Sequence, residues 1–588
     1  MKLTLFSLLA GVGISSALNI PLQDLATLET LETREVQPRQ ACENTPTSRQ
    51  CWGNFSIDTN YYDVVPDTGK TVEYWLSVQQ GPCSPDGYVR TCMTFNGTVP
   101  GPTIIADWGD TLVIHVTNNM ATNGTAIHWH GLRQLSSFVN DGVPGVTQCP
   151  IAPGQSLTYR FHVSQYGSTW YHSHFSLQYS EGLFGGMIFN GPATANYDED
   201  LGTLFLSDWS HTESFALWDT AKQGAPPMLE NGLINGTNRY DCSLLPVPDV
   251  RCLGTGVKYE TVFEAGKKYR FRLVNVAIDG KFQFSIDGHT LTVIGTDLVP
   301  IDPYTTDSVQ ITIGQRYDVI VEANAAPGDY WLRGGWVSSC MMNRNAGNIT
   351  GIVRYDASST ADPTSTSNVT ITTSCLDEPA ASLVPHVALD VTNIPNITLE
   401  DLSFTFDTYF KWTVNTSSLL LDWANPTVER ILNGDPIFPT PYNVVPVGPP
   451  ASNSTPEWAV LVIQDLSGIG LAHPIHLHGH DFWVLAQSTG VFDGTTTAFD
   501  TTNPPRRDVA TLPGNGYLAI AFLLDNPGAW LVHCHIAWHA SEGLSLEFVE
   551  SREQIVITPE DEATVRGTCT TWDAFEVASP FEQEDSGI

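Results

Sequence analysis

Ten of the chain's 16 histidines fall in four short windows, 128–130, 172–174, 473–478 and 533–539, where background frequency would place about half a histidine. The richest window reads His533-Cys534-His535-Ile536-Ala537-Trp538-His539. On a β-strand over 531–536, alternate side chains point to opposite faces, so His533 and His535 look one way and Cys534 the other. A thiolate with His539 five residues on and a distant histidine, His473, is the His₂Cys set that selects copper and tunes it for one-electron transfer. The two flanking imidazoles are offered to a second centre, and the covalent path from Cys534 to them is the electron route between the two.

His128-Trp129-His130 and His172-Ser173-His174 each put two imidazoles on one face of a strand, about 7 Å apart at the backbone. His473-Pro474-Ile475-His476-Leu477-His478 repeats the pairing with one more histidine upstream, which leaves His473 free to reach Cys534. His480 exceeds the need and reads as a supporting or structural residue. Eight imidazoles remain: His128, His130, His172, His174, His476, His478, His533 and His535. They fit three coppers as two, three and three, with coordination left for O₂. Zinc competes poorly, since a structural zinc site closes with four ligands and a catalytic one uses three. One electron-accepting copper joined to three O₂-reducing coppers implies reduction of O₂ to two waters, balanced by four one-electron oxidations.

The elements that must hold these residues are short β-branched and aromatic runs separated by Gly, Pro, Asn and Asp turns. Thr111–Thr117, Leu157–Val163, Lys268–Val274, Leu291–Ile294, Tyr317–Ala323, Trp458–Gln464 and Leu518–Leu523 are examples. Their spacing predicts an all-β chain of sandwiches or barrels, with few sustained helical stretches. A recurring pattern of turn, strand and aromatic appears at Ala152-Pro153-Gly154 to Phe161, Ala265-Gly266 to Phe271 and Leu512-Pro513-Gly514 to Ile520. It predicts three β domains of one lineage, over 40–194, 195–375 and 376–588. The middle block has no His-X-His and is expected to space the others and shape the substrate site.

Met1-Lys2, the apolar run Leu3–Ile14 and Ser15-Ser16-Ala17 read as a secretory signal peptide over 1–17. Residues 18–39, ending at Arg39, read as a pro-segment or a tail. No other run is long and apolar enough for a transmembrane helix. The formal charge of −36 argues against nucleic acid or an anionic membrane as partner. Nine Asn-X-Ser/Thr sequons, beginning at Asn54, Asn96, Asn123, Asn235, Asn348, Asn368, Asn396, Asn415 and Asn453, fit a glycosylated surface. Eleven cysteines are an odd number for an oxidising compartment. Cys42/Cys51, Cys83/Cys92, Cys242/Cys252 and Cys340/Cys375 are near enough in sequence to pair locally, and Cys149 would then take Cys569. The remaining thiol is Cys534, although connectivity does not follow from sequence alone.

These motifs resemble the multicopper oxidases and look like the ascomycete fungal laccases. The likeness rests on His128-Trp129-His130-Gly131, Asp141-Gly142, Gln148-Cys149-Pro150-Ile151, Trp170-Tyr171-His172-Ser173-His174, the 473–480 stretch and the 533–544 stretch, and it spans the whole mature chain. It implies three cupredoxin-like Greek-key domains and four coppers. By that resemblance His128 and His476 bind the type 2 copper; His130, His172, His174, His478, His533 and His535 bind the type 3 pair; His473, Cys534 and His539 form type 1. Leu544 takes the axial position, where an apolar side chain donates nothing and raises the potential. Asp279 matches an acid beside the type 1 histidine that takes a phenol proton, and Asp141 an acid near type 2 that relays protons. Read without the resemblance, both are ordinary turn acids. Ala537 departs from relatives that carry an acid beside the trinuclear ligands, so protons must arrive by other groups. Asp585-Ser586-Gly587-Ile588 resembles a C-terminal plug whose carboxylate enters the solvent channel.

The implied function is a secreted, monomeric laccase using phenolic or aromatic amine donors and O₂. Ferroxidase, ascorbate oxidase and bilirubin oxidase are rivals within the same chemistry. A ferroxidase needs a cluster of acids around type 1, which one candidate acid does not supply. A non-catalytic copper carrier would have no use for eight further histidines.

Overall fold

The computed structural model describes residues 42–394, 397–448, 457–578 and 583–588. The expected signal peptide and pro-segment, 1–39, lie outside the described residues. From Cys42 onward the chain forms three successive pairs of β-sheets. The first pair is four-stranded twice. One sheet is ordered Arg90–Phe95, Thr71–Cys83, Thr111–Asn118, Ser156–His162, and the other Gly101–Asp107, Phe184–Asn190, Gly167–Ser173, Ile127–His130. Both contribute to one core containing Val78, Ile114, Val116, Tyr171 and Met187. The second and third pairs each combine a six-stranded with a five-stranded sheet. A parallel pairing recurs in all three: Thr71–Cys83 with Thr111–Asn118, Glu199–Trp209 with Lys268–Asn275, and Ile397–Phe406 with Trp458–Asp465. The strands of the thrice-seen sequence pattern do not hold equivalent places in this repeat: Ser156–His162 and Gly516–Leu523 lie antiparallel beside one member of the parallel pair, whereas Lys268–Asn275 is itself a member, so the likeness between blocks is carried by topology and not by that pattern.

Alternation explains the strands locally. In Ser156–His162, Leu157, Tyr159 and Phe161 are buried while Ser156, Thr158, Arg160 and His162 face solvent. Strand ends lie within a residue or two of the sequence expectation, with one informative difference. The strand carrying the cysteine is Gly528–Cys534, and His535 lies beyond it. The His535 N–H donates to the Pro474 carbonyl at 2.7 Å, and a short helix, Ala537–Ser541, begins two residues later. The two-face arrangement survives because Cys534 sits opposite Ile475 and His533 opposite His476 in the ladder.

A second difference is the 20-residue helix Pro559–Ala578. Its start is well encoded: Pro559 opens the first turn, Glu560, Asp561 and Glu562 complement the macrodipole, and Thr558 Oγ1 accepts from the Asp561 N–H at 3.1 Å. It buries only a narrow stripe, Val565, Cys569 and Trp572, so hydrophobic periodicity gives little sign of it. The disulfide Cys149–Cys569 ties it to the first domain across 420 residues. Cys42–Cys51, Cys83–Cys92, Cys242–Cys252 and Cys340–Cys375 are also bonded, leaving Cys534 as the one free thiol among the described residues. No described helix is long and apolar enough to cross a membrane.

Candidate metal centre

Two ladders meet where the first and third sheet pairs touch. His128 lies opposite His172 on Ile127–His130 and Gly167–Ser173, while His476 lies opposite His533 on His473–Leu477 and Gly528–Cys534. Ligand atoms of His130, His172 and His535 fall within 4.8 Å of one another, as do those of His174, His478 and His533, and those of His128, His130 and His476. Ring centroids of His128 and His478 are 4.0 Å apart, and those of His130 and His476 are 3.9 Å apart. All eight rings are buried.

One nitrogen of most rings is already committed. Nδ1–H of His128 donates to the Asp141 carbonyl at 2.8 Å, that of His478 to Asp141 Oδ2 at 2.8 Å, and that of His476 to the Asp508 carbonyl at 2.7 Å. His172 and His533 donate from Nδ1 to the carbonyls of Ser173 and Cys534. His130 reverses the sense, donating from Nε2 to Asp508 Oδ1 at 3.2 Å. A carbonyl can only accept, so each such nitrogen holds the proton and the other carries a lone pair. Nε2 of His128, His172, His476, His478 and His533, Nδ1 of His130, and both nitrogens of His174 and His535 are buried with no hydrogen-bond partner among the described residues. Burial first, then repulsion among the rings, holds His130, His172, His174, His476, His478 and His535 well below the usual imidazole range. Converging neutral lone pairs in a dry interior are costly without a cation, and imidazoles fixed by oxygen partners are what copper ions require.

On the other face of the Cys534 strand, Nδ1 of His473 and of His539 lie 3.1 Å apart, with Cys534 Sγ at 3.8 and 3.6 Å. Two such ring nitrogens beside a buried thiol again fit copper, whose binding would displace the thiol proton that burial otherwise retains. Trp412 presents its ring to both histidines at centroid distances of 4.8 and 5.0 Å. Leu544 is buried, its carbonyl accepting from the Cys534 N–H at 3.1 Å.

His539 opens onto a pocket of about 220 Å³ lined by Asp279, Lys281, Ile313, Met341 and Leu471 among others. Burial, with Asp208 nearby, pushes the Asp279 carboxyl up to about 8. Lys281 also lines this pocket, but its ammonium already faces Gln310 Oε1 and the carbonyls of Ser374 and Leu376. A smaller cavity of about 20 Å³ lies between His172, His174, His533, His535, Ala537 and Ile588. The tail is therefore tucked against the histidine cluster: Ser586 and Ile588 are buried, the Ser176 hydroxyl donates to Asp585, and Trp423 Nε1 donates to the Gly587 carbonyl at 2.8 Å. His480 stands apart, paired with Glu550 at 2.9 Å.

Two supports were missed by sequence reasoning. Asp208 accepts from the backbone N–H groups of Ile278, Asp279 and Gly280 at 2.8, 2.9 and 3.0 Å, and so shapes the turn that presents Asp279. Asp508, which braces His130 and His476, is gripped by the two terminal guanidinium nitrogens of the buried Arg316 at 2.5 Å. The available signal was an acid beside an apolar run: Asp208 after Leu204-Phe205-Leu206 and Asp508 just before Val509–Leu512.

Three family models, each described as multicopper oxidase, match residues 77–194, 200–358 and 410–554. Laccase-2 of Botryotinia fuckeliana is 62% identical over 557 residues, covering 94% of this chain and 95% of that protein. Laccase-1 of the same organism is 54% identical over 594 residues, covering 100% of both. The crystal structure of a laccase from Botrytis aclada superposes with a TM-score of 0.90 at 61% identity, covering 93% of this chain and 100% of that one.

Proposed function

Because the chain belongs to the fungal laccases of the multicopper oxidase family, a phenol-oxidising and O₂-reducing class, we propose how its residues divide that work. His473, Cys534 and His539 hold the type 1 copper; His128 and His476 the type 2; His130, His172, His478, His174, His533 and His535 the type 3 pair. Copper held by these residues would supply one-electron acceptance from the donor and four-electron reduction of O₂. The domains divide at 194/195 and 375/376, and the mature protein is a secreted monomer.

The donor, a phenol or an aromatic amine, occupies the pocket at His539 with its acidic proton toward Asp279. Once ionised, the Asp279 carboxylate takes that proton, so that loss of an electron leaves a neutral radical rather than a cation. Asp208 holds the backbone of Asp279 and keeps the acid at the pocket. Cys534 is covalently continuous with His533 and His535, which gives the shortest bonded path from the donor side to the oxygen side. Leu544, buried with its carbonyl on the Cys534 N–H, has a side chain with no lone pair to offer, and would favour a high potential in a copper held by His473, Cys534 and His539. On the oxygen side Asp141 touches both His128 and His478 and is placed to pass protons inward, a task that Ala537 cannot perform. The tail Asp585–Ile588 limits water entry at the histidine cluster.

The observation that carries this reading is one strand with Cys534 in a His₂Cys group on one face and His533 in an eight-histidine group on the other. The test is O₂ uptake by copper-loaded protein, comparing kcat/KM for 2,6-dimethoxyphenol with that for Fe²⁺. A marked preference for the phenol is expected; preference for Fe²⁺ would keep the ligand assignments and overturn the substrate.

A further inference from the structure

Between the second and third sheet pairs the chain runs from Tyr355 to Pro379 without forming a helix or a strand, so no sheet ladder holds it in place. Its last part nevertheless walls the donor pocket, where Cys375 and Leu376 line the space beside Cys340, Met341 and His539. Leu376 is 38% exposed, an apolar side chain given to the pocket rather than to a core. Side chains must fix this wall in place of a ladder.

Cys375 is bonded to Cys340. Asp377 accepts from Gln315 Nε2 at 2.7 Å and, from later in the chain, from Gln487 Nε2 at 2.8 Å and the hydroxyl and N–H of Thr511 at 2.6 and 2.8 Å. Lys281 supplies the remaining grip. Its ammonium donates to the Ser374 carbonyl at 3.0 Å, to the Leu376 carbonyl and to Gln310 Oε1 at 3.0 Å, so the two carbonyls flanking Cys375 are held by one group. A lysine at a donor pocket would ordinarily suggest attraction of an anion, but here every ammonium proton is already spent on an oxygen. Asp279 and Lys281 stand two residues apart on one turn, which Asp208 braces through the N–H groups of Asp279 and Gly280, and the Val337 N–H donates to the Lys281 carbonyl at 3.0 Å. The turn that presents the acid therefore also holds a wall of the same pocket.

We propose that Lys281 is a positioning residue for donor selection: by gripping the carbonyls of Ser374 and Leu376 it fixes the Leu376 wall relative to His539, and the fixed wall limits the bulk of the aromatic ring admitted. The inference rests on placing the phenol in the pocket at His539. Its physical basis is the carbonyl pair. Without the ammonium both carbonyls lose their donor, and the segment recovers hydrogen bonds by moving toward water, which carries Leu376 outward. A rigid apolar wall rejects extra carbon by clash, and a yielding one admits it.

The test compares copper-loaded full-length wild type, Lys281→Met and Lys281→Arg on 2,6-dimethylphenol and 2,6-diisopropylphenol, donors of similar electronic character and different bulk. O₂ uptake gives kcat and KM for each, and a redox titration gives the type 1 midpoint. In Lys281→Met the ratio of kcat/KM for the bulky phenol to that for the small one should rise several-fold, mainly through KM, with the midpoint unchanged. Lys281→Arg, which keeps donors for both carbonyls, should hold the wild-type ratio. An unchanged ratio in Lys281→Met, an equal rise in Lys281→Arg, or a rise that comes with a shifted midpoint would overturn the gripping role alone. Oxidation of neither phenol by wild type would instead overturn the reading of the pocket. If Lys281→Met is not secreted, Leu376→Ala serves, because it cuts back the wall from a partly exposed position; the ratio should rise there too, and an unchanged ratio would reject the wall.

Discussion

Asp208 accepts a hydrogen bond from the backbone N–H of Asp279 at 2.9 Å, so one buried carboxyl fixes the turn that presents another to the donor pocket. The two acids differ in exposure to that pocket, since only Asp279 lines it, and burial holds Asp208 at about 6 and Asp279 at about 8.

Asp279→Asn should lower kcat/KM for 2,6-dimethoxyphenol by about 10²-fold, the size typical of a lost general base. A donor without an acidic proton, such as ABTS, should be oxidised at nearly the wild-type rate. Because Asp279 is protonated below about 8, the wild-type phenol rate should climb as pH rises toward that value, and the variant should lose this limb. Steady-state pH profiles with both donors check it; a phenol profile identical in the two proteins would remove Asp279 from the reaction.

Leu544 is buried with its carbonyl on the Cys534 N–H, and Leu544→Met would bring a thioether to that position. Donation to copper should stabilise the oxidised form and lower the type 1 midpoint. A redox titration followed at the type 1 absorption band reads this directly, and an unchanged or raised midpoint would count against the axial role.

Deleting Asp585–Ile588 uncovers the cavity beside His172, His174, His533 and His535. Turnover should fall several-fold while the type 1 absorption persists, because His473, Cys534 and His539 lie on the other face of the strand. Copper content and turnover measured together separate this from general unfolding, and full activity in the truncated protein would reject the plug.

Glu547 is fully buried, with Thr427 Oγ1 on one carboxyl oxygen at 2.7 Å and no hydrogen-bond partner for the other among the described residues. Burial pushes its carboxyl from the ordinary 4.5 up to about 8. The folded chain thus keeps a proton that the unfolded chain releases, and this stabilisation is complete below about 4.5 and lost as pH rises through about 8. Glu547→Gln should flatten the decline of Tm across that window, recovering at most a few kcal/mol at its upper end. Parallel Tm profiles of the two proteins from pH 4 to 9 decide it.

Much of the chemistry was legible from local pattern. A strand alternates its faces, so His-Cys-His and each His-X-His state which side chains travel together without knowledge of the rest of the chain. Strand positions were legible for the same reason: Leu157–Val163 was expected where Ser156–His162 forms. The helix Pro559–Ala578 was not, because a disulfide and a narrow apolar stripe hold it in place of a strong amphipathic period.

By itself the sequence determined the donor atoms available to metal, their pairing on strands, and the odd thiol left among eleven cysteines. Only the tertiary structure decided which pairs converge, as when Asp141 reaches His478 across 337 residues and Asp508 braces His130 across 378. It also placed Asp208 beneath Asp279, and the chain end beside the clustered imidazoles. Alternation along a strand is a local property of the backbone. Burial, lone-pair direction and the partners of a carboxylate are set by segments remote in sequence, and they exist only once the three sheet pairs have packed.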